Sequence, residues 1–236
     1  MLIRYNKELQ KLQEIGVIVA NCLKHMLQEA STGMNTKELD AIGAAYLREH
    51  GATPTPTPAG KFPGTTCISL NRVAAHGIPS QKIILQEGDM LNINVSASKD
   101  YFFAETGASM VLGKNFELER LCEASQKALK NTQKEARAGR SVSVIGKAIQ
   151  QEAERNNFTV IQNLYSRGIG RDLHEEPDEV PGFKDPSEKR KLVENLVMTI
   201  EPFLSNGTEK VEKSSDGWSL LNNEGAYSAQ FEHTMV

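Results

Sequence analysis

The chain has 236 residues, 39% hydrophobic and 24% charged, with a net charge of -3 and an isoelectric point near 6.0. That length and apolar content suit one large or two small domains with a sizeable core, and the mild acidity excludes a dominant nucleic-acid-binding face. No run of 18 apolar residues occurs and MLIRYNKELQ carries no apolar stretch followed by small residues, so no membrane span or signal peptide is expected.

The predicted elements begin with residues 6 to 30, where Leu9, Leu12, Ile15, Val19, Leu23 and Met26 recur at helical spacing. Ser31-Thr32-Gly33 ends that helix. Asn35 opens a second one with Glu38 three residues on, a capping box, and Gly51 closes it after His50. Residues 52 to 64 (ATPTPTPAGKFPG) are rich in Pro and Gly, which predicts an ordered loop leading into the strand TCISL. His76 follows on a turn whose backbone is set by Gly77 and Pro79.

Residues 88 to 109 (GDMLNINVSASKDYFFAETGAS) read as a hairpin turning at 98 to 100, with Asn94 on its first strand and Glu105 on its second. Phe116 to Ala138 is a third helix stopped by Gly139, and Ser143 caps a fourth ending near Asn156. FTVIQNL is a strand. SRGIGRDLHEEP is a loop dense in Arg, His and Glu, and residues 178 to 195 form a charged, solvated excursion. VMTIEPFLSNG and YSAQFEHTMV pair as a second hairpin-like unit carrying Glu201 and Glu232. The order helix-helix-strands recurs, which predicts a single α+β domain over 1–236 with two pseudo-symmetric halves, roughly 1–114 and 115–236. The cysteines Cys22, Cys67 and Cys122 form no zinc pattern and read as ordinary thiols of a reducing, cytoplasmic setting.

CISLNRVAAHGIP, the GDMLNINV…ETGAS hairpin, GIGRDLHEEP, TIEPFLS and DGW…SAQFEHTMV resemble, in order and spacing, the type I methionine aminopeptidases. The resemblance spans nearly the whole chain. It implies the pita-bread fold, two αβ halves around a curved antiparallel sheet, and a reaction that removes N-terminal Met from peptides. Members hold two divalent cations (Co, Mn, Fe or Zn) with two Asp, one His and two Glu, around a bridging water. Glu201 and Glu232 stand at the two glutamate positions. His76 and His174 match the histidines facing the scissile amide, and Phe62, Cys67 and Trp218 fall on positions lining the methionine pocket.

Three ligand positions depart from the family. Asn94 stands for the first Asp, Glu105 for the second, and Arg167 for the His. An amide offers one neutral oxygen, a glutamate projects its charge a methylene further, and a guanidinium has no lone pair to donate. Three carboxylates and one guanidinium leave charge for at most one divalent cation, and a guanidinium forked onto two glutamates is expected there instead. The resemblance with these departures implies a methionine aminopeptidase-like protein that has lost its dinuclear site and is weakly active or inactive. It would act as a monomeric binding module for a peptide or protein N-terminus, without nucleic acid or membrane. An active enzyme with an aberrant mononuclear site is one alternative. A metal-free hydrolase using His76, His174 and Glu201 is the other. The family also continues past the EHT segment through two β-rich runs, whereas this sequence stops at Val236, implying a further tail or a shortened protein.

Overall fold

The computed structural model describes residues 1–56 and 61–236. The chain opens with α1 (Asn6–Glu29) and α2 (Thr36–Glu49). At the start of α2 the predicted capping box forms: Asn35 Oδ1 accepts from Glu38 N at 2.9 Å and Glu38 Oε2 from Asn35 N at 3.0 Å. Strands β1 (Thr53–Pro54), β2 (Cys67–Leu70) and β3 (Val73–Ala75) precede the long hairpin of β4 (Met90–Lys99) and β5 (Phe102–Val111). Of the loop predicted over 52 to 64, residues 57 to 60 lie outside the described residues. The hairpin turns one to two residues later than expected, on Asp100 and Tyr101, both with positive φ (52° and 63°). That pair gives the primed two-residue turn whose twist matches antiparallel strands.

The sequence of β4 explains its place. Leu91, Ile93, Val95 and Ala97 alternate with Asn92, Asn94 and Ser96, and a strand sends alternate side chains to opposite faces. The apolar set is fully buried beside Ile15, Val19 and Cys22 of α1. Each such large aliphatic contributes about 1.5–3 kcal/mol by leaving water. The polar set is left on the other face. Register places Asn94 opposite Gly107 and Ser96 opposite Glu105, so Asn94 and Glu105 share that polar face.

The second part runs through α3 (Phe116–Glu135), α4 (Ser143–Arg155), β6 (Thr159–Val160), β7 (Tyr165–Gly168), β8 (Glu175–Pro181), β9 (Met198–Ile200), β10 (Phe203–Ser205), β11 (Glu212–Lys213), β12 (Leu220–Leu221), β13 (Ser228–Gln230) and β14 (Glu232–Met235). Several expectations are corrected. Helix α3 stops at Glu135, with Gly139 in the left-handed region beyond it (φ 85°). Ser143 is inside α4 rather than its cap; the N-cap is Val142, which makes no side-chain cap bond, and Ser141 Oγ accepts from Ser143 N instead. Only Thr159–Val160 of FTVIQNL is strand. Ser166-Arg167-Gly168 lies on a strand rather than in a loop. Asp178 to Pro181 belongs to β8, because Val180 is buried and pairs with Ser166, so the solvated excursion is shorter than predicted.

One sheet, antiparallel throughout, runs β1-β4-β5-β14-β9-β7-β8, with β2 also on β4. Strands β9 and β14 pair in this sheet, while their continuations β10 and β13 pair in a second one with β6. Glu201 sits where the first strand of this ribbon changes sheet, and Glu232 begins the strand on its partner. The break therefore carries both acidic residues toward the polar face of the β4–β5 hairpin. Two large hydrophobic clusters flank the sheets, one built around α1, α2, β4 and β5, the other around α3 and α4. Among the described residues no helix is long and apolar enough to cross a membrane.

Candidate functional site

A cavity of about 730 Å³ opens on the polar face of the sheet and is lined by Cys67, His76, Asn94, Glu105, Arg167, His174 and Glu201, among others. Residues 67, 94, 105, 167 and 201 reach it from neighbouring strands or a strand break, because antiparallel pairing places Cys67 beside Asn94 and Arg167 beside Thr199. Glu232 lies directly behind, its side chain wholly buried. All five residues that the sequence resemblance singled out as ligand positions thus converge, although they span 138 residues of sequence.

Arg167 is at their centre. Its Nη2 donates to Glu105 Oε2 at 2.5 Å and its Nη1 to Glu201 Oε1 at 3.1 Å, with Glu232 Oε1 3.9 Å away. The Arg167 side chain is 12% exposed, so these contacts act with little water to screen them. Burial alone would lower the Arg167 pKa, but the three carboxylates, Glu105 foremost, outweigh it and hold the guanidinium charged. Among the described residues, its buried Nε–H has no acceptor.

The carboxyls respond to burial and to each other. Burial pushes Glu201 up to about 8, against the attraction of Arg167. Burial, then repulsion from Glu105 and Glu201, raises Glu232 well above the ordinary range. Yet Glu232 accepts from Thr199 Oγ1 at 2.5 Å, from Gln230 Nε2 at 2.9 Å and from Asn94 Nδ2. These three donors favour the carboxylate and oppose that rise, and the two buried carboxyls titrate together.

His76 and His174 stand at the cavity mouth, retaining exposed surface. The surrounding walls nevertheless penalise charge on both rings. Burial lowers the pKa of His76, and burial followed by the Arg167 charge lowers that of His174 to about 4. Both are therefore neutral at pH 7. His76 is held in the left-handed region (φ 55°) because the next residue is pinned: Gly77 N donates to Ser69 Oγ at 3.1 Å and Gly77 O accepts from Ile68 N at 3.0 Å. A Cβ on Gly77 would collide with the Ile68 carbonyl.

Phe62 and Trp218 are brought together, their rings edge to face at 5.5 Å, but they do not line this cavity, whereas Cys67 does. Sequence reasoning missed Asn92, Thr199 and Gln230, which form a buried polar brace: Asn92 Nδ2 donates to Gln230 Oε1 at 2.9 Å and to Ser109 Oγ at 3.1 Å. Each lies two residues before Asn94, Glu201 or Glu232. The period-2 rule for strands was the available signal.

The sequence profile of metallopeptidase family M24 matches residues 10–236. The chain is 41% identical to methionine aminopeptidase 2 of Bacillus subtilis (strain 168), covering 100% of this chain and 95% of that protein. It is 40% identical to a methionine aminopeptidase of Staphylococcus epidermidis over 100% and 94% of the two chains. Among solved structures, methionine aminopeptidase from Rickettsia prowazekii superposes with a TM-score of 0.93 at 30% identity, covering 99% of this chain and 95% of that one. The methionine aminopeptidase of Thermotoga maritima gives 0.95 at 25%, over 100% and 95%. The shared architecture is the pita-bread fold.

Proposed function

The chain belongs to metallopeptidase family M24, among the methionine aminopeptidases, and on that premise we propose that it binds the N-termini of peptides or proteins while hydrolysing them weakly or not at all. The carrying observation is the Arg167 guanidinium, ion-paired to Glu105 and Glu201 at the position aligned with the family's histidine ligand. A guanidinium has no free lone pair and stays protonated, so it repels the cation it would have to bind. Asn94 supplies one neutral oxygen, and its amide nitrogen is committed to Glu232. This donor set does not fit a pair of divalent cations, and its charge leaves room for one at most.

In this reading Cys67, His76 and His174 contact the ligand from the cavity wall, with Phe62 and Trp218 beyond it. Two neutral imidazoles can each donate one hydrogen bond and accept another, which suits a peptide amide. The three buried, free cysteines accord with a reducing, cytoplasmic setting. The ligand is a peptide or protein N-terminus rather than nucleic acid or membrane, and the protein works as a monomer.

A second reading is favoured by one observation. A carboxyl with its pKa near 8 beside neutral histidines could supply general acid–base chemistry without metal, on some other substrate. The test is calorimetric binding of Met-Ala-Ser together with its turnover, each with added Mn or Co and with chelator. Binding without turnover, unchanged by chelator, is expected. Turnover that needs metal would overturn the proposal, and chelator-resistant hydrolysis of another substrate would favour the second reading.

A further inference from the structure

The three departures from the family's ligands touch one another, directly or through one intermediary. Glu105 is fixed at its backbone, where N donates to Thr234 Oγ1 and O accepts from the same hydroxyl, both at 2.9 Å. Side-chain length alone then decides its reach. Shortening it to Asp would withdraw the carboxylate by about 1.5 Å, one carbon–carbon bond, and the 2.5 Å contact with Arg167 would open beyond hydrogen-bonding distance.

Asn94 is tied as closely. Ser96 Oγ donates to its Oδ1 at 3.2 Å, which orients the amide so that Nδ2 faces and donates to Glu232 Oε2. An Asp there would set a second anion against Glu232, which already feels Glu105 and Glu201. Arg167 is anchored through the pairing of β7 with β9 at Thr199. Its guanidinium is the only cation, among the described residues, ion-paired to any of these three carboxylates.

We infer that Asn94, Glu105 and Arg167 form one compensated unit, an internal guanidinium centre in place of a metal pair, so that reverting any one of them alone is worse than reverting all three. Glu105 acquires its length to meet the guanidinium, and Asn94 its amide to satisfy the carboxyl that the guanidinium reaches only at 3.9 Å. The inference deepens the reading above and rests on its metal-free site. Independent drift at three ligand positions would leave unpaired polar groups. Here, among the described residues, the side chains of the unit leave a single buried orphan, Arg167 Nε.

The test is a mutant cycle read by thermal unfolding and metal content. In the wild type, Asn94→Asp and Glu105→Asp should each lower Tm by about 10 °C, the cost of breaking a buried charge network spread over a chain of this size. In an Arg167→His background with Mn present, the same two substitutions should raise Tm, and the triple variant should hold two equivalents of Mn that chelator removes. Equal costs in both backgrounds would overturn the inference, because independent sites add. So would wild-type protein that carries two equivalents of metal.

Should the triple variant fail to fold, a second cycle decides. Glu105→Gln should destabilise the wild type but stabilise Arg167→Met, where it removes an uncompensated anion. The same sign in both would refute the coupling. Binding of Met-Ala-Ser by the wild type is measured separately. Its absence would remove the proposed ligand and leave the coupling intact.

Discussion

Replacing Arg167 with Met tests the charge account most directly. The methionine keeps much of the aliphatic stem but removes the cation that Glu105 and Glu201 contact at 2.5 and 3.1 Å. Taking one partner from a buried pair costs about 3–5 kcal/mol, because the remaining charge is left desolvated. For a chain of this length each kilocalorie moves Tm by about 2–4 °C, so a fall of roughly 6–20 °C is expected at pH 8. The loss should shrink at pH 5.5. Without the guanidinium the carboxyls relieve their repulsion by taking up protons, which is easy at low pH and costly at high pH. Differential scanning calorimetry of wild type and variant from pH 5.5 to 8.5 provides the measurement. A Tm difference under 2 °C at pH 8, or one that does not depend on pH, would refute the argument that this cation holds the cluster together.

Wild-type stability should itself fall as pH rises toward 8. The folded-state pKa of Glu201 is raised to about 8, so its contribution is full below the ordinary carboxyl range and is lost as pH climbs through 8. The opposing group is His174, lowered to about 4, whose contribution is lost as pH falls below the ordinary imidazole range. Between pH 6.5 and 8.5 the two raised carboxyls, Glu201 and Glu232, therefore dominate, and Glu201→Gln should reduce the slope of Tm against pH over that window. Tyr101→Gly should stabilise the protein by about 1 kcal/mol, since Tyr101 is 85% exposed yet holds a positive φ that glycine adopts freely; urea unfolding reads the change. Gly77→Ala should do the opposite, by more than about 2 kcal/mol, because the added carbon meets the Ile68 carbonyl. It should also shift the His76 imidazole resonances in NMR, as the turn that aims the ring is displaced.

Much of the architecture was legible in one dimension. The Asn35–Glu38 capping box, the amphipathic spacing of α1 and the alternation along β4 are local rules, decided by residues within a turn or a strand of one another. The motif order further marked which distant segments share a cavity. At the strand that carries Arg167, the deciding contact was remote. Ser166-Arg167-Gly168 looked like loop because the segment is polar and glycine-rich, yet it is strand because β9 and β8 lie on either side to pair with it. Phe62 and Trp218, expected at a methionine pocket, meet edge to face, a matter of side-chain placement that no spacing reveals.

For the site, the sequence alone determined composition: three glutamates, one arginine and one asparagine, hence three negative charges against one positive. Only the tertiary structure decided the pairing. Residue counting cannot say that Glu105 rather than Glu232 takes the shortest bond to the guanidinium, that Thr199, Gln230 and Asn94 donate to Glu232, or that burial raises the proton affinity of Glu201 and Glu232. Charge is a property of each residue, but the energy of a charge depends on distance, burial and available donors, and those are set by strands brought together from opposite ends of the chain.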